Sequence, residues 1–138
     1  MEMLHSRVAG LDVHKATVVA CVRIAGRQVS RECRTFATTT ADLEALLAWL
    51  QACGCTHVAM EATGVYWMPL WKILSEGEFA LIVANAAHIK AVPGRKSDLN
   101  DAMWIADLMA CGLLKASFVP EEEIQELRAL MRTRKQLV

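Results

Sequence analysis

The chain has 138 residues, of which 54% are hydrophobic and 22% are charged. This length and composition fit one folded domain with a sizeable core and exclude an intrinsically disordered chain. The 15 Lys and Arg residues balance the 15 Asp and Glu residues, which excludes a uniformly basic protein. No apolar run has the length of a membrane span. The five cysteines show no C-x2-C spacing, which predicts reduced thiols in a cytoplasmic protein.

Hydrophobic periodicity and turn residues predict the elements of the chain. In chain order these are strands over 7–13, 16–24 and 28–37, a helix over 41–52, a strand over 56–61, a helix over 66–76, a strand over 79–84, and helices over 98–113 and from 120 onward. Thr38 to Thr40 are N-cap candidates for the first helix, and Ser97 is one for the helix over 98–113. The segment 85–97 is expected to break at Pro93-Gly94.

Three antiparallel strands followed by β-α-β crossovers predict an α/β fold. We expect a mixed five-stranded sheet with helices on both faces, which is the ribonuclease-H-like arrangement. The predicted domain covers 1–117. Residues 118–138 begin a long helix whose apolar stripe ends without a C-cap, and we expect it to lead into a missing C-terminal domain.

Four carboxylates are expected to converge. Asp12 and Glu61 each end a strand, and these two strands should be neighbours in the predicted topology. On a helix, Asp98 and Asp101 would lie about 60° apart around the axis and point to one spot. Like charges in one cleft repel unless a cation joins them, and hard oxygen ligands suit Mg²⁺ or Mn²⁺. Two such ions support phosphodiester chemistry.

Each acid alone also has an ordinary structural explanation, as a turn residue, an ion-pair partner or a first-turn acid. Basic residues lie in or next to the loops that should surround the carboxylates, namely Lys15, Lys90, Arg95 and Lys96, with His88 beside them. They could hold nucleic-acid phosphates or simply form a solvated rim, and both alternatives stay open.

The motifs GLDVHK, MEATGVYW and GRKSDLNDA together resemble the N-terminal RuvC-like domain of the DEDD insertion-sequence transposases, the IS-one-ten family, which also includes the Piv-type DNA invertases. The resemblance implies a catalytic and metal-binding tetrad of Asp12, Glu61, Asp98 and Asp101, and metal-dependent cleavage and exchange of DNA strands. It also implies a C-terminal domain with a catalytic serine, so that this chain alone is expected to be inactive in recombination.

The same resemblance implies several partners and a place in the cell. A structured guide (bridge) RNA would pair with donor and target DNA. Synapsis implies a homo-oligomer, a dimer or larger, for which the C-terminal helix is the candidate contact. The protein would work in the prokaryotic cytoplasm, associated with the nucleoid, and not at a membrane.

Two other functions are compatible with parts of the pattern. A non-catalytic nucleic-acid-binding or assembly module would keep the fold without a working metal site. An actin-like or sugar-kinase domain would need glycine-rich phosphate loops after the first and fourth strands. Asp12 is followed by Val-His-Lys and Glu61 has only Gly64 after it, which disfavours that function.

Overall fold

A computed structural model describes residues 3–62 and 64–114, apart from the side chain of Ala62. Its elements are β1 (Arg7–Val13), β2 (Thr17–Ala25), β3 (Val29–Ala37), α1 (Thr40–Ala52), β4 (His57–Ala62), α2 (Trp67–Leu74), β5 (Ala80–Asn85), α3 (Ala86–Ala91) and α4 (Asp101–Ala110). The helix predicted from 120 onward and the domain division after 117 lie outside the described residues. No described helix is long and apolar enough to cross a membrane.

The strands form one mixed sheet in the order β3-β2-β1-β4-β5. The first three pair antiparallel, because short connections join them as hairpins. In contrast, β4 lies parallel to both β1 and β5, and the crossovers that this requires contain α1 and α2. The predicted ribonuclease-H-like sheet is therefore confirmed.

Helices cover both faces of the sheet, as predicted. One core holds α1 and α2 side chains such as Leu46 and Trp71. The second core lies under α4 and contains Trp104 and Ile105. The central strand β1 contributes to both, since alternate residues of a strand point to opposite faces. Its Leu11 belongs to the first core and its Val8 to the second.

Helix α1 begins as the sequence predicts. Thr39 is its N-cap, in an extended conformation, and its hydroxyl accepts a hydrogen bond from the Asp42 amide at 3.3 Å. This side chain satisfies one of the backbone donors that a helix start leaves without a partner.

Two features of the segment before α4 differ from the prediction. Within the segment 85–97, for which no helix was predicted, residues Ala86–Ala91 form the short helix α3, which ends before the predicted break at Pro93-Gly94. Its N-cap is Asn85, whose side chain accepts from the Ala87 amide at 2.8 Å. Helix α4 begins at Asp101 rather than near residue 98, and its N-cap is Asn100 rather than Ser97. The Asn100 carboxamide accepts from the Met103 amide at 2.8 Å, which fixes the helix start three residues later than expected.

Candidate active site

Asp12 and Glu61 lie beside each other near the carboxyl ends of two adjacent parallel strands. The β1–β4 register pairs Gly10 with Ala59 and Leu11 with Met60. The next residue of each strand is therefore one of the two acids. Both residues are half-buried, and 15% of the Asp12 side-chain surface is exposed to solvent. The prediction that these two strands are neighbours in the sheet is confirmed.

Helix α4 crosses the same face of the sheet and runs antiparallel to β1. Its last residue, Ala110, accepts hydrogen bonds from the Leu4 and His5 amides at 2.7 and 2.9 Å, just before β1. Farther along, a Cβ on Gly10 would clash with the Ala102 carbonyl and the Ala106 amide. Asp12 lies two residues after Gly10 and therefore on the same face of β1. The start of α4, with Asp101, therefore lies at the Asp12 end of β1.

The electrostatics of Glu61 reflect this convergence. Burial raises the pKa of its carboxyl group, and the nearby charges of Asp12 and Asp101 raise it further. Lys90 and His14 act in the opposite direction on the same pKa, more weakly. Three predicted ligands thus share one electrostatic environment, and the basic side chains around them only partly compensate their charge.

Two of these acids are paired with basic side chains. His14 Nε2 lies 3.0 Å from Asp12 Oδ2. Arg95 donates to Asp101 Oδ1 at 2.9 Å and to the Leu99 carbonyl at 2.7 Å. The Arg95–Asp101 ion pair is exposed on both sides, so it is weak and can exchange for other partners. In the His14–Asp12 contact only the histidine is exposed.

Asp98 occupies a different environment. The prediction that it shares one helical face with Asp101 is wrong, because Asp98 lies in a turn two residues before the Asn100 N-cap. It is exposed and lines a cavity of about 220 Å³ together with Arg31, Lys96 and Asp107. The pKa of Arg31, on β3, is raised mainly by its hydrogen bond to Asp107, and the charge of Asp98 adds the smallest contribution.

The four predicted nucleic-acid-binding residues are all exposed. Lys90 and Arg95 interact with the carboxylates as described, and Lys96 lines the Asp98 cavity. Lys15 lies on a separate groove of about 200 Å³ that also contains Tyr66. These side chains are thus distributed around the carboxylates rather than gathered in one patch.

The chemistry of the donor set fits a hard divalent cation, since Asp12, Glu61 and Asp101 offer only carboxylate oxygens. A cation would also relieve the repulsion that raises the pKa of Glu61. Within 3–62 and 64–114, no three His, Cys, Asp or Glu side chains stand close enough together to hold a metal ion. The acids are therefore neighbours without forming a closed coordination shell.

Sequence reasoning gave no role to a buried ion-pair cluster beside this site. Asp107 of α4 is 8% exposed and pairs with Arg23 at 3.0 Å and with Arg31 at 2.8 Å. One signal was available, because Arg23 stands in the apolar strand β2 and Asp107 in the apolar stretch of α4. Opposite charges in two buried elements predict a buried pair. The cluster ties α4 to β2 and β3.

Comparisons with solved structures show that other proteins share the fold of this chain. A structure of RuvC from Thermus thermophilus in complex with a Holliday junction substrate matches with a TM-score of 0.54 and 16% identity, over 80% of this chain and 99% of that one. A second Thermus thermophilus RuvC structure matches with a TM-score of 0.50 and 15% identity, over 91% of both chains. At these identities the likeness shows a shared fold. No curated protein matches the chain significantly.

The family comparison covers nearly the whole chain. The model of the IS110 (IS-one-ten) DEDD family, described as transposase, matches residues 9–138. This match includes both strand-end acids and the entire segment before and within α4. The chain therefore belongs to the IS110 family of DEDD transposases.

Proposed function

We propose that this domain cleaves and exchanges DNA strands with a divalent metal, Mg²⁺ or Mn²⁺, held by Asp12, Glu61, Asp98 and Asp101. The observation that carries the proposal is the placement of Asp12 and Glu61 beside each other at the ends of β1 and β4, with the start of α4 close by. Burial and the charges of Asp12 and Asp101 raise the pKa of Glu61 there. It marks a cluster of acids that is unfavourable without a cation. Membership of a transposase family supplies the reaction class.

The residues would divide the work by position. Asp12 and Glu61, on the rigid sheet, would form the fixed side of the site. Asp101, in the first turn of α4, would complete it once Arg95 releases its carboxylate. Asp98 would join through rearrangement of its exposed turn. Two bound ions would stabilise the attacking and leaving oxygens of the phosphodiester.

The basic residues would hold the DNA backbone. Lys15, Lys90, Arg95 and Lys96 are exposed around the acids, where cationic side chains can contact phosphates without reading sequence. Arg95 would have two roles, as a counterion of Asp101 in the free protein and as a phosphate contact in the complex.

Further parts of the proposal are supported by family membership alone. They comprise a structured guide RNA, a homo-oligomer formed through the C-terminal helix, a second domain with a catalytic serine, and action at the nucleoid. The full reaction would need these parts, and the 138-residue chain would bind metal and nucleic acid without completing recombination.

A second candidate function is a non-catalytic nucleic-acid-binding or assembly module. It is favoured by one observation, the absence of a three-ligand metal group among the residues that the structure describes. Under this function the acids would be structural, and metal would not bind at the site.

Titration of the chain with Mn²⁺, followed by calorimetry and paramagnetic NMR, tests the first function against the second. Saturable binding should be lost in Asp12→Asn and Asp101→Asn, and the paramagnetic broadening should centre on the ends of β1 and β4. Glu44→Gln is the matched control, because Glu44 is an exposed acid on α1, across the sheet from the site. Equal binding by the chain and all variants would refute the composite site.

The titration is then repeated with duplex DNA present. If the site closes only on its substrate, binding appears in this second experiment and is again lost in Asp12→Asn. Failure to bind Mn²⁺ at these acids in both experiments would leave the assembly module as the function.

A further inference from the structure

Two cysteines face each other across the hairpin of β2 and β3. Cys21 and Cys33 are directly paired in the antiparallel register. Directly opposed residues have Cα atoms about 4.5–5.5 Å apart, which lies within the range of about 4.4–6.8 Å that a disulfide needs. Both side chains lie on the face of the sheet that α4 covers, since Cys21 belongs to the core under that helix and Cys33 packs against it. The backbone register therefore places the two cysteines where a rotation of the Cys33 side chain can bring the sulfur atoms together.

The two thiols differ in access and environment. Cys21 is fully buried, whereas Cys33 is partly exposed on β3, an edge strand of the sheet. Arg31 stands two residues before Cys33 on the same face of β3, and its guanidinium is held nearby by Asp107. Access thus distinguishes Cys33, which a small oxidant in solution can reach, from the buried Cys21. The pKa of Cys21 is raised, by burial first and by Cys33 next.

We infer that Cys21 and Cys33 form a redox-active pair that a peroxide oxidises to a cross-strand disulfide. Cys33 attacks the peroxide and becomes a sulfenic acid, releasing one water. The Cys21 thiol then attacks that sulfur, forming the S–S bond and releasing a second water. Each sulfur loses one electron, and hydrogen peroxide accepts both together with the two thiol protons. A thiol reductant reverses the step.

Metal binding does not explain the pair equally well. A soft-metal site needs three or four ligands, and no group of three His, Cys, Asp or Glu suited to a metal occurs in 3–62 and 64–114. The pair also stands apart from the other three cysteines, since Cys53 and Cys55 flank the turn after α1 and Cys111 follows α4.

Oxidation of the cysteine pair would also change a contact at the start of α4. Asn100 Nδ2 donates to Cys33 Sγ at 3.7 Å, while Asn100 Oδ1 accepts from the Met103 amide at 2.8 Å. Forming the disulfide turns Cys33 Sγ toward Cys21 and changes the contact that orients the cap. Asp101 is the next residue, so an effect on DNA chemistry would rest on the proposed function. The disulfide and its effect on the cap do not.

The test is oxidation of the chain by equimolar hydrogen peroxide, followed by non-reducing tryptic mapping. Trypsin places Cys21 in 16–23, Cys33 in 32–34, Cys53 with Cys55 in 35–72, and Cys111 in 97–115. We expect a linked pair of 16–23 with 32–34, a fall in free thiols from five to three, and reversal by dithiothreitol. In ¹⁵N NMR spectra the Met103 amide signal should shift.

Cys33→Ser is the informative variant, because its site is partly exposed and tolerates the change. It should lose the linked peptides and the Met103 shift. Cys111→Ser, the matched control, should keep both. A disulfide within 35–72, overoxidation of Cys33 without a link, or unchanged free thiols would each overturn the proposal. None of these readouts depends on metal or DNA, so its failure is distinguishable from failure of the proposed function.

Discussion

At the scale of single residues, the most demanding position is Asp107. Its carboxylate forms ion pairs with Arg23 and Arg31. Arg23 is itself only 8% exposed, and its Nη1 atom is buried without a hydrogen-bond partner among the described residues. A buried charge is tolerated only while its partner is present. Asp107 therefore determines whether the Arg23 cation can remain buried, while Arg31 pairs with Asp107 from the exposed side.

Asp107→Asn should lower the free energy of unfolding by about 3–5 kcal/mol, because the buried Arg23 guanidinium loses its counterion. Urea denaturation measures the change. The control is Glu32→Gln, which breaks an exposed pair with Arg34 and should cost less than about 1 kcal/mol. Similar losses for both variants would mean that burial does not govern the cost.

Arg95 makes the corresponding exposed pair in the candidate active site. Arg95→Ala should strengthen Mn²⁺ binding by up to about fivefold, since an exposed ion pair is worth up to about 1 kcal/mol and a metal must displace it. The same variant should weaken binding of DNA, with a smaller salt dependence. Calorimetry and salt-dependent DNA binding measure the two opposite effects.

The control for Arg95 is the next residue, Lys96, which lines the Asp98 cavity instead. Lys96→Ala removes the same charge from the same loop without freeing Asp101. If it strengthens Mn²⁺ binding as much as Arg95→Ala does, the general field of the loop, and not the ion pair, sets the affinity.

At the scale of elements, the position of α4 decides where Asp101 lies. Asn100→Ala removes the carboxamide that accepts from the Met103 amide and should destabilise the chain by about 1 kcal/mol. Asn100→Asp should restore most of this, because Asp caps equally well. Ser97→Ala should change stability by less than about 0.5 kcal/mol. A larger effect at Ser97 than at Asn100, measured by denaturation, would contradict the observed helix start.

The closeness of α4 to the sheet is set by Gly10. A Cβ there would strike backbone atoms of Ala102 and Ala106, which cannot rotate away as a side chain could. Gly10→Ala should therefore lower the free energy of unfolding by about 1–3 kcal/mol. Gly26→Ala, where a Cβ would meet nothing within 4 Å, should stay within about 0.5 kcal/mol. Equal stabilities in urea would show that α4 can shift at no cost.

The elements also show how far sequence reasoning reaches. Strands β1 to β5 were predictable because apolar runs and turn residues mark their ends. The start of α4 was not, because Ser97 and Asn100 both favour N-cap positions and only the fold selects between them. Helix α3 was missed because it has six residues and lies close to Pro93-Gly94.

The site shows the same division between local and long-range information. The neighbourhood of Asp12 and Glu61 followed from β-α-β topology, which places the two parallel strands side by side. The separation of Asp98 from Asp101 did not follow from topology, since it depends on which residue caps α4. The contact of Arg23 with Asp107 joins residues 84 positions apart, and local periodicity carries no information about such a distance.

At the scale of the whole molecule, the sheet and α4 assemble a cluster of acids that opposes folding in the absence of a cation. Glu61 reports this balance because burial, Asp12 and Asp101 all raise its pKa above the ordinary 4.5. A carboxyl group with a higher pKa in the folded chain holds its proton more tightly there than in the unfolded chain. Its contribution to stability is therefore complete below pH 4.5 and lost as pH rises through the raised pKa.

Glu61→Gln keeps the side-chain shape and removes the titration. In the presence of a chelator, this variant should be more stable than the parent chain at pH 7, and the difference should disappear as pH falls below 4.5. Saturating Mn²⁺ at pH 7 should stabilise the parent chain and leave the variant largely unaffected, since a ligand stabilises only the state that binds it. Thermal unfolding over the pH range, with Glu44→Gln as a control of flat response, measures both effects. Parallel pH curves for Glu61→Gln and the parent chain would show that the clustered acids do not destabilise the folded chain. The physical basis for a metal at this site would then be lost.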